Sequence, residues 1–92
     1  MSTIRRLLLV EDDPEDAAIF QRYLPDDSRL TLATTLRAGL AAVADGRFDV
    51  AYVDYRLGAD SGLELVRAVR AAGNPLAVVV TTGQDIDLLG EN

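Results

Sequence analysis

Residues 4–10 (IRRLLLV) carry a basic pair and then a continuous apolar run, closed abruptly by the acids Glu11, Asp12 and Asp13. A short run without polar alternation predicts a strand buried on both faces of a parallel sheet. Asp13 can cap the open amides of a following helix, and Pro14 suits that helix's first position, where an N–H would have no partner. Ala17, Ala18, Phe20, Gln21 and Leu24 then recur at helical spacing until Pro25, Asp26 and Asp27 stop the pattern.

The unit repeats along the chain. Residues 30–34 (LTLAT) read as a short strand, and Thr35 caps a helix through Val43 or Ala44, with Leu36, Leu40 and Val43 on one face and Gly46 as its stop. Residues 49–53 (DVAYV) form the next strand, which delivers Asp54 at its carboxyl end. Residues 55–60 read as a loop. Ser61 and Glu64 then have the S-x-x-E spacing of a capping box, opening a helix whose Leu65, Val66 and Val69 share a face and which Gly73, Asn74 and Pro75 end. Residues 76–81 (LAVVVT) are a fourth strand, followed by Thr82, Gly83 and a polar segment in which a further helix begins near Asp85. The alternation βαβαβαβ calls for a doubly wound parallel sheet with right-handed crossovers and helices on both faces, a three-layer α/β/α architecture.

Composition narrows the chemistry. With 92 residues the chain holds one domain, and its net charge of -6 is the wrong sign for gripping nucleic acid or an anionic membrane. It has no cysteine and no histidine, which excludes disulfides, thiol nucleophiles, zinc sites built on those residues and imidazole catalysis within the chain. No stretch approaches the roughly 20 apolar residues of a membrane span. The opening MSTIRRLLLVEDD is interrupted by carboxylates and lacks a small-residue cleavage site, so the expectation is a cytoplasmic protein.

In open sheets of this type ligands bind beyond the carboxyl ends of the strands, where the winding reverses. Strands one, three and four end at Glu11 and Asp12, at Asp54, and at Thr82, which makes these four the candidate site residues. Three converging carboxylates repel one another and call for a cation. An all-oxygen donor set selects a hard ion, Mg2+ before Mn2+, with Asp12 binding it directly and Glu11 through water as one option. Asp54 stands alone between an apolar strand and a loop, presented as a nucleophile toward phosphorus, and the Thr82 hydroxyl can donate to a phosphoryl oxygen once Asp54 is modified.

With these residues in place the sequence resembles the receiver domains of two-component response regulators over its whole length. The stretches that carry the resemblance are LLLVEDDPEDAAIF, FDVAYVDYRLGADSGLELVRAVR and VVVTTG. It implies a flavodoxin-like sheet in the order 2-1-3-4-5, with the fifth strand and last helices beyond this chain. It further implies Mg2+-dependent acceptance on Asp54 of a phosphoryl group from a sensor histidine kinase or phosphotransfer protein, and a switch through Thr82. The main-chain carbonyl of Arg56 becomes a third metal contact from the protein. Residues 1–92 are then expected to be the N-terminal portion of a receiver, through strand four and the start of helix four.

Three features depart from that pattern. Gly58 stands where the family usually has proline, which loosens the loop. The Arg56 side chain can either pair with phosphoryl oxygens or block incoming water. All nine basic residues are arginine, so the lysine that pairs with the phosphoryl group in the family has no counterpart here. The fourth strand is then expected to be a bare apolar edge open to self-association through residues 76–82, while Ile19, Phe20 and Val69 lose covering neighbours. A receiver-like interaction module that is not phosphorylated remains the alternative function. A haloacid-dehalogenase type of phosphatase fits poorly, because Glu11 and Asp13 are followed by Pro14, and the acids after strand one exclude a Rossmann or P-loop nucleotide site.

Overall fold

The computed structural model describes residues 5–81. The polar segment from Thr82 onward, with the helix expected near Asp85, lies outside the described residues, as does Ile4. Strand β1 (Arg5–Val10) starts on two exposed arginines and is buried from Leu7 onward, as its apolar run requires. Helix α1 (Pro14–Arg22) follows with Pro14 at its first position and the Asp13 carboxylate accepting from the Glu15 N–H at 2.8 Å. Strand β2 (Ser28–Ala33), helix α2 (Leu36–Asp45) and strand β3 (Val50–Asp54) complete the first two crossovers. Thr35 caps α2, its hydroxyl oxygen accepting from the Ala38 N–H at 3.0 Å.

Residues 55–61 are not a plain loop. Strands β4 (Arg56–Leu57) and β5 (Asp60–Ser61) pair antiparallel around a two-residue turn in which Gly58 has φ +61° and Ala59 has negative φ. That combination belongs to the tight hairpin turns that carry glycine at the first central position. Helix α3 (Leu63–Ala71) therefore starts two residues after Ser61, and the capping box forms only in half. Glu64 accepts from the Ser61 N–H at 3.2 Å, while the Ser61 hydroxyl accepts from Leu63 at 3.2 Å. Strand β6 (Ala77–Thr81) ends the described chain.

The four long strands form one parallel sheet in the order β2-β1-β3-β6, the expected 2-1-3-4 order for these strands. On one face α2 and α3 enclose Leu8, Val10, Ala51, Val53, Leu57, Leu65, Val69 and Leu76, with Leu36, Leu40, Val43, Val78 and Val80 packed around them. Each fully buried Val or Leu there contributes roughly 2 kcal/mol. On the opposite face Phe20 of α1 meets Tyr52 edge-on, with ring centroids 4.9 Å apart.

Helix α1 buries a narrower stripe than its spacing suggested. Ala17 is buried and Phe20 and Leu24 half-buried, but Ala18, Ile19 and Gln21 face outward. Leu32 and Val79, on the strands that flank the centre of that face, stay exposed. Val69, expected to lose cover, is buried in the α2–α3 layer.

Candidate functional site

Parallel strands β1 and β3 are neighbours, with Val10 opposite Val53, so their carboxyl ends bring Glu11, Asp12 and Asp54 together. One carboxylate oxygen from each lies within 4.8 Å of the other two. The ladder continues one step past β1, where the Glu11 N–H donates to the Ala33 carbonyl at 2.9 Å. That bond fixes the main chain at which the acids begin. Glu11 is buried, Asp54 half-buried and Asp12 exposed.

Each carboxylate accepts one main-chain amide. Asp13 N–H donates to Glu11 Oε2 at 3.2 Å, and Arg56 N–H to Asp54 Oδ1 at 3.3 Å. Both are turns over two residues, of the kind short acids make with their own backbone. The third bond is long-range: Gly58 N–H donates to Asp12 Oδ2 at 3.1 Å, across 46 positions of sequence.

The electrostatics follow from this crowding. Burial pushes the Glu11 carboxyl up to about 7, the charge of Asp54 and a hydrogen bond with it add to the rise, and the Asp13 amide opposes it. A carboxyl held partly protonated beside another carboxylate can share a proton with it, and a divalent cation can replace that proton. The three oxygens are the kind of donor set a hard cation takes, with neither imidazole nor thiolate present.

Behind the acids the main chain is closely packed. Tyr55 N–H donates to Thr81 O at 2.7 Å, and Gly62 N–H donates to Tyr55 O at 2.8 Å. Gly62 is buried directly against Asp54: a Cβ there would overlap the Asp54 carbonyl oxygen and lie 3.0 Å from both the carbonyl carbon and Val53 Cγ2.

The structure thus brings together Glu11, Asp12 and Asp54 and sets Arg56, with an exposed side chain, two residues beyond Asp54. Thr82 lies outside the described residues; Thr81 before it pairs with Asp54 in the β3–β6 register. Gly58 bonds Asp12 and Gly62 packs against Asp54, contacts that the spacing of the two glycines in sequence does not reveal. The two-residue acid turns have a local signature, whereas the Gly58 contact has none. A cavity of about 440 Å³ lies at the amino ends of the strands, away from the carboxylates, lined by Val43, Phe48, Asn74 and Leu76 among others.

Comparison with known proteins agrees with this arrangement. Residues 7–90 match the family described as the response regulator receiver domain. The alginate biosynthesis transcriptional regulatory protein AlgB of Pseudomonas aeruginosa is 34% identical over 79 residues, covering 84% of this chain and 17% of AlgB. The transcriptional regulatory protein PcoR of Escherichia coli is 28% identical over 83 residues, covering 89% of this chain and 37% of PcoR. The chain therefore spans well under half the length of either relative. Among solved structures, the receiver domain of the Francisella response regulator 1452 aligns with a TM-score of 0.74 at 18% identity, over 94% of this chain and 76% of that one. The bacteriophytochrome response regulator AtBRR aligns with a TM-score of 0.63 at 21% identity, over 98% and 76%. At such identities the two structures establish the shared fold.

Proposed function

This chain belongs to the response regulator receiver domain family, and we propose that it works in two-component signalling by taking a phosphoryl group from a partner's phosphohistidine onto Asp54. The observation that carries this reading is the convergence of Glu11, Asp12 and Asp54, with oxygens within 4.8 Å, at the carboxyl ends of adjacent parallel strands. Asp54 is half-buried and is the last residue of β3, so it is the acid set into a strand end with the β4–β5 turn following it.

In the transfer, an Asp54 carboxylate oxygen attacks phosphorus and forms the O–P bond of an acyl phosphate. The P–N bond to the donor imidazole breaks, and the ring nitrogen keeps the electron pair and takes a proton from solvent. Glu11, Asp12, Asp54 and the main-chain carbonyl of Arg56 would hold Mg2+, or Mn2+ in its place. When bound, the cation neutralises phosphoryl oxygens and relieves the repulsion among the acids. The Arg56 N–H on Asp54 Oδ1 restrains the carboxylate and leaves its second oxygen for attack. The Thr82 hydroxyl, one residue beyond the partner of Asp54 in the ladder, would donate to the transferred phosphoryl group and make the modification felt beyond the site.

The partner is a sensor histidine kinase or a phosphotransfer protein, to which the exposed Asp12 and half-buried Asp54 are presented at the carboxyl ends of the strands. Among the described residues no helix is long and apolar enough to cross a membrane, and we place the domain in the cytoplasm with its kinase. Self-association through β6, whose Val79 is 43% exposed, belongs to the same reading. Sedimentation at tens of micromolar tests it, and a stable, cooperatively folding monomer excludes it.

Incubation with a small acyl phosphate donor, with and without Mg2+, followed by mass spectrometry, tests the phosphoryl step. Metal-dependent label on Asp54 is expected. Label elsewhere, or none with the cation bound, would leave a receiver-like interaction module as the function.

A further inference from the structure

Asp12 is exposed, and an exposed aspartate left to itself samples several rotamers. Here it is tied to a second loop. The Gly58 N–H reaches Asp12 Oδ2 at 3.1 Å from the β4–β5 turn, joining the loop after β1 to the loop after β3. The turn makes that donor available: Leu57 and Asp60 pair across the ladder, and Gly58 stands outside it. A Cβ on Gly58 would meet nothing within 4 Å, so it is the φ of +61°, not crowding, that favours glycine here. Proline, with φ fixed near −65° and no N–H, would remove both the turn geometry and the donor.

We propose that Gly58 is a positioning residue for Asp12, its amide holding the carboxylate in the orientation in which it joins Glu11 and Asp54 around a divalent cation. The inference rests on the reading of these acids as a cation site. A carboxylate has lone pairs for an amide and a cation together, so the bond prepares the group without occupying it. Because the same bond fixes the turn, linkage runs both ways: cation at the acids steadies the β4–β5 turn, and a steadier turn raises affinity for the cation. The turn thereby reports on the occupancy of the site at the surface a partner meets.

The test compares wild type with Gly58→Pro, which lacks the donor, and Gly58→Asn, which keeps the N–H and tolerates positive φ. Calorimetric titration with Mg2+ should give affinities within about twofold for wild type and Gly58→Asn, and about tenfold weaker binding for folded Gly58→Pro. Equal affinity of a folded Gly58→Pro overturns the proposal. A second readout does not depend on that variant folding or on the metal. In metal-free protein, exchange of the Gly58 amide hydrogen should accelerate when Asp12 is replaced by Ala, and unchanged exchange overturns the proposal equally. If wild type fails to bind Mg2+, the cation reading falls, and the exchange result alone decides whether Gly58 holds Asp12.

Discussion

The Asp54 carbonyl oxygen occupies the space that a Cβ on Gly62 would need. The end of β3 and the entry to α3 therefore meet main chain to main chain. The amide of Gly62 is held within the same unit by its bond to Tyr55 O at 2.8 Å, so neither side can withdraw without breaking a hydrogen bond.

Gly62→Ala should accordingly cost about 2 kcal/mol through overpacking, with the displacement falling on Asp54. Urea unfolding gives the first quantity and Mg2+ titration registers the second. A variant as stable as wild type would mean that the start of α3 shifts freely.

Glu11 sets a pH dependence. Its carboxyl is raised from 4.5 to about 7, chiefly by burial and then by Asp54. A group raised in the folded state favours the fold fully below its unfolded value, and that contribution is lost as pH rises through the folded one. Metal-free protein should lose stability from this source between pH 4.5 and about 7, while Mg2+ affinity rises over the same window as the proton leaves. Unfolding curves of wild type and Glu11→Gln across that range check it. The same slope in both proteins would assign the effect to other groups.

Asp12→Ala should weaken Mg2+ binding by about tenfold or more, since it removes one of the three carboxylates while leaving the sheet intact. Asp12 is exposed, so folding should change little, and circular dichroism alongside the titration separates the two effects. Equal affinities would remove Asp12 from the site.

Leu65→Ala should destabilise by about 3 kcal/mol, because Leu65 is fully buried between α3 and the sheet. A loss below about 1 kcal/mol would show that the α2–α3 layer closes over the gap.

Much of this was legible in sequence because the physics involved is local. Residues 7–10 are apolar without alternation and are buried without exception, and Asp13 with Pro14 places the start of α1 where the structure has it. The acids at the ends of β1 and β3 could be matched because parallel neighbours end at one edge. Nothing local shows that residues 56–61 fold back as a ladder, since two-residue strands carry no periodicity. Hence the S-x-x-E spacing points to Ser61 as the helix cap, whereas Ser61 belongs to β5 and its hydroxyl accepts from the Leu63 amide, only its own N–H reaching the Glu64 carboxylate. In sequence Gly58 looks like a looser substitute for proline, although its amide fastens Asp12, because a bond spanning 46 positions leaves no mark in spacing. The outward turn of Ala18 and Gln21 was hidden for a related reason: helical spacing gives the apolar stripe, but the width of the partner surface decides how much is covered.

Strand β1 begins at the exposed pair Arg5 and Arg6 and ends beside Glu11 and Asp12, so this strand runs from positive to negative along its length. The site proposed for phosphoryl transfer lies at the negative pole of that strand. An anionic phosphodonor approaching that pole moves uphill in potential, and added salt shortens the reach of the opposing field to about 8 Å at physiological strength. Encounter with a small anionic donor should therefore quicken as ionic strength rises, whereas a protein donor gains by surrounding its phosphohistidine with positive charge. For the proposed transfer, the direction of charge along β1 thus favours a donor carried on a basic protein surface over free phosphoryl compounds.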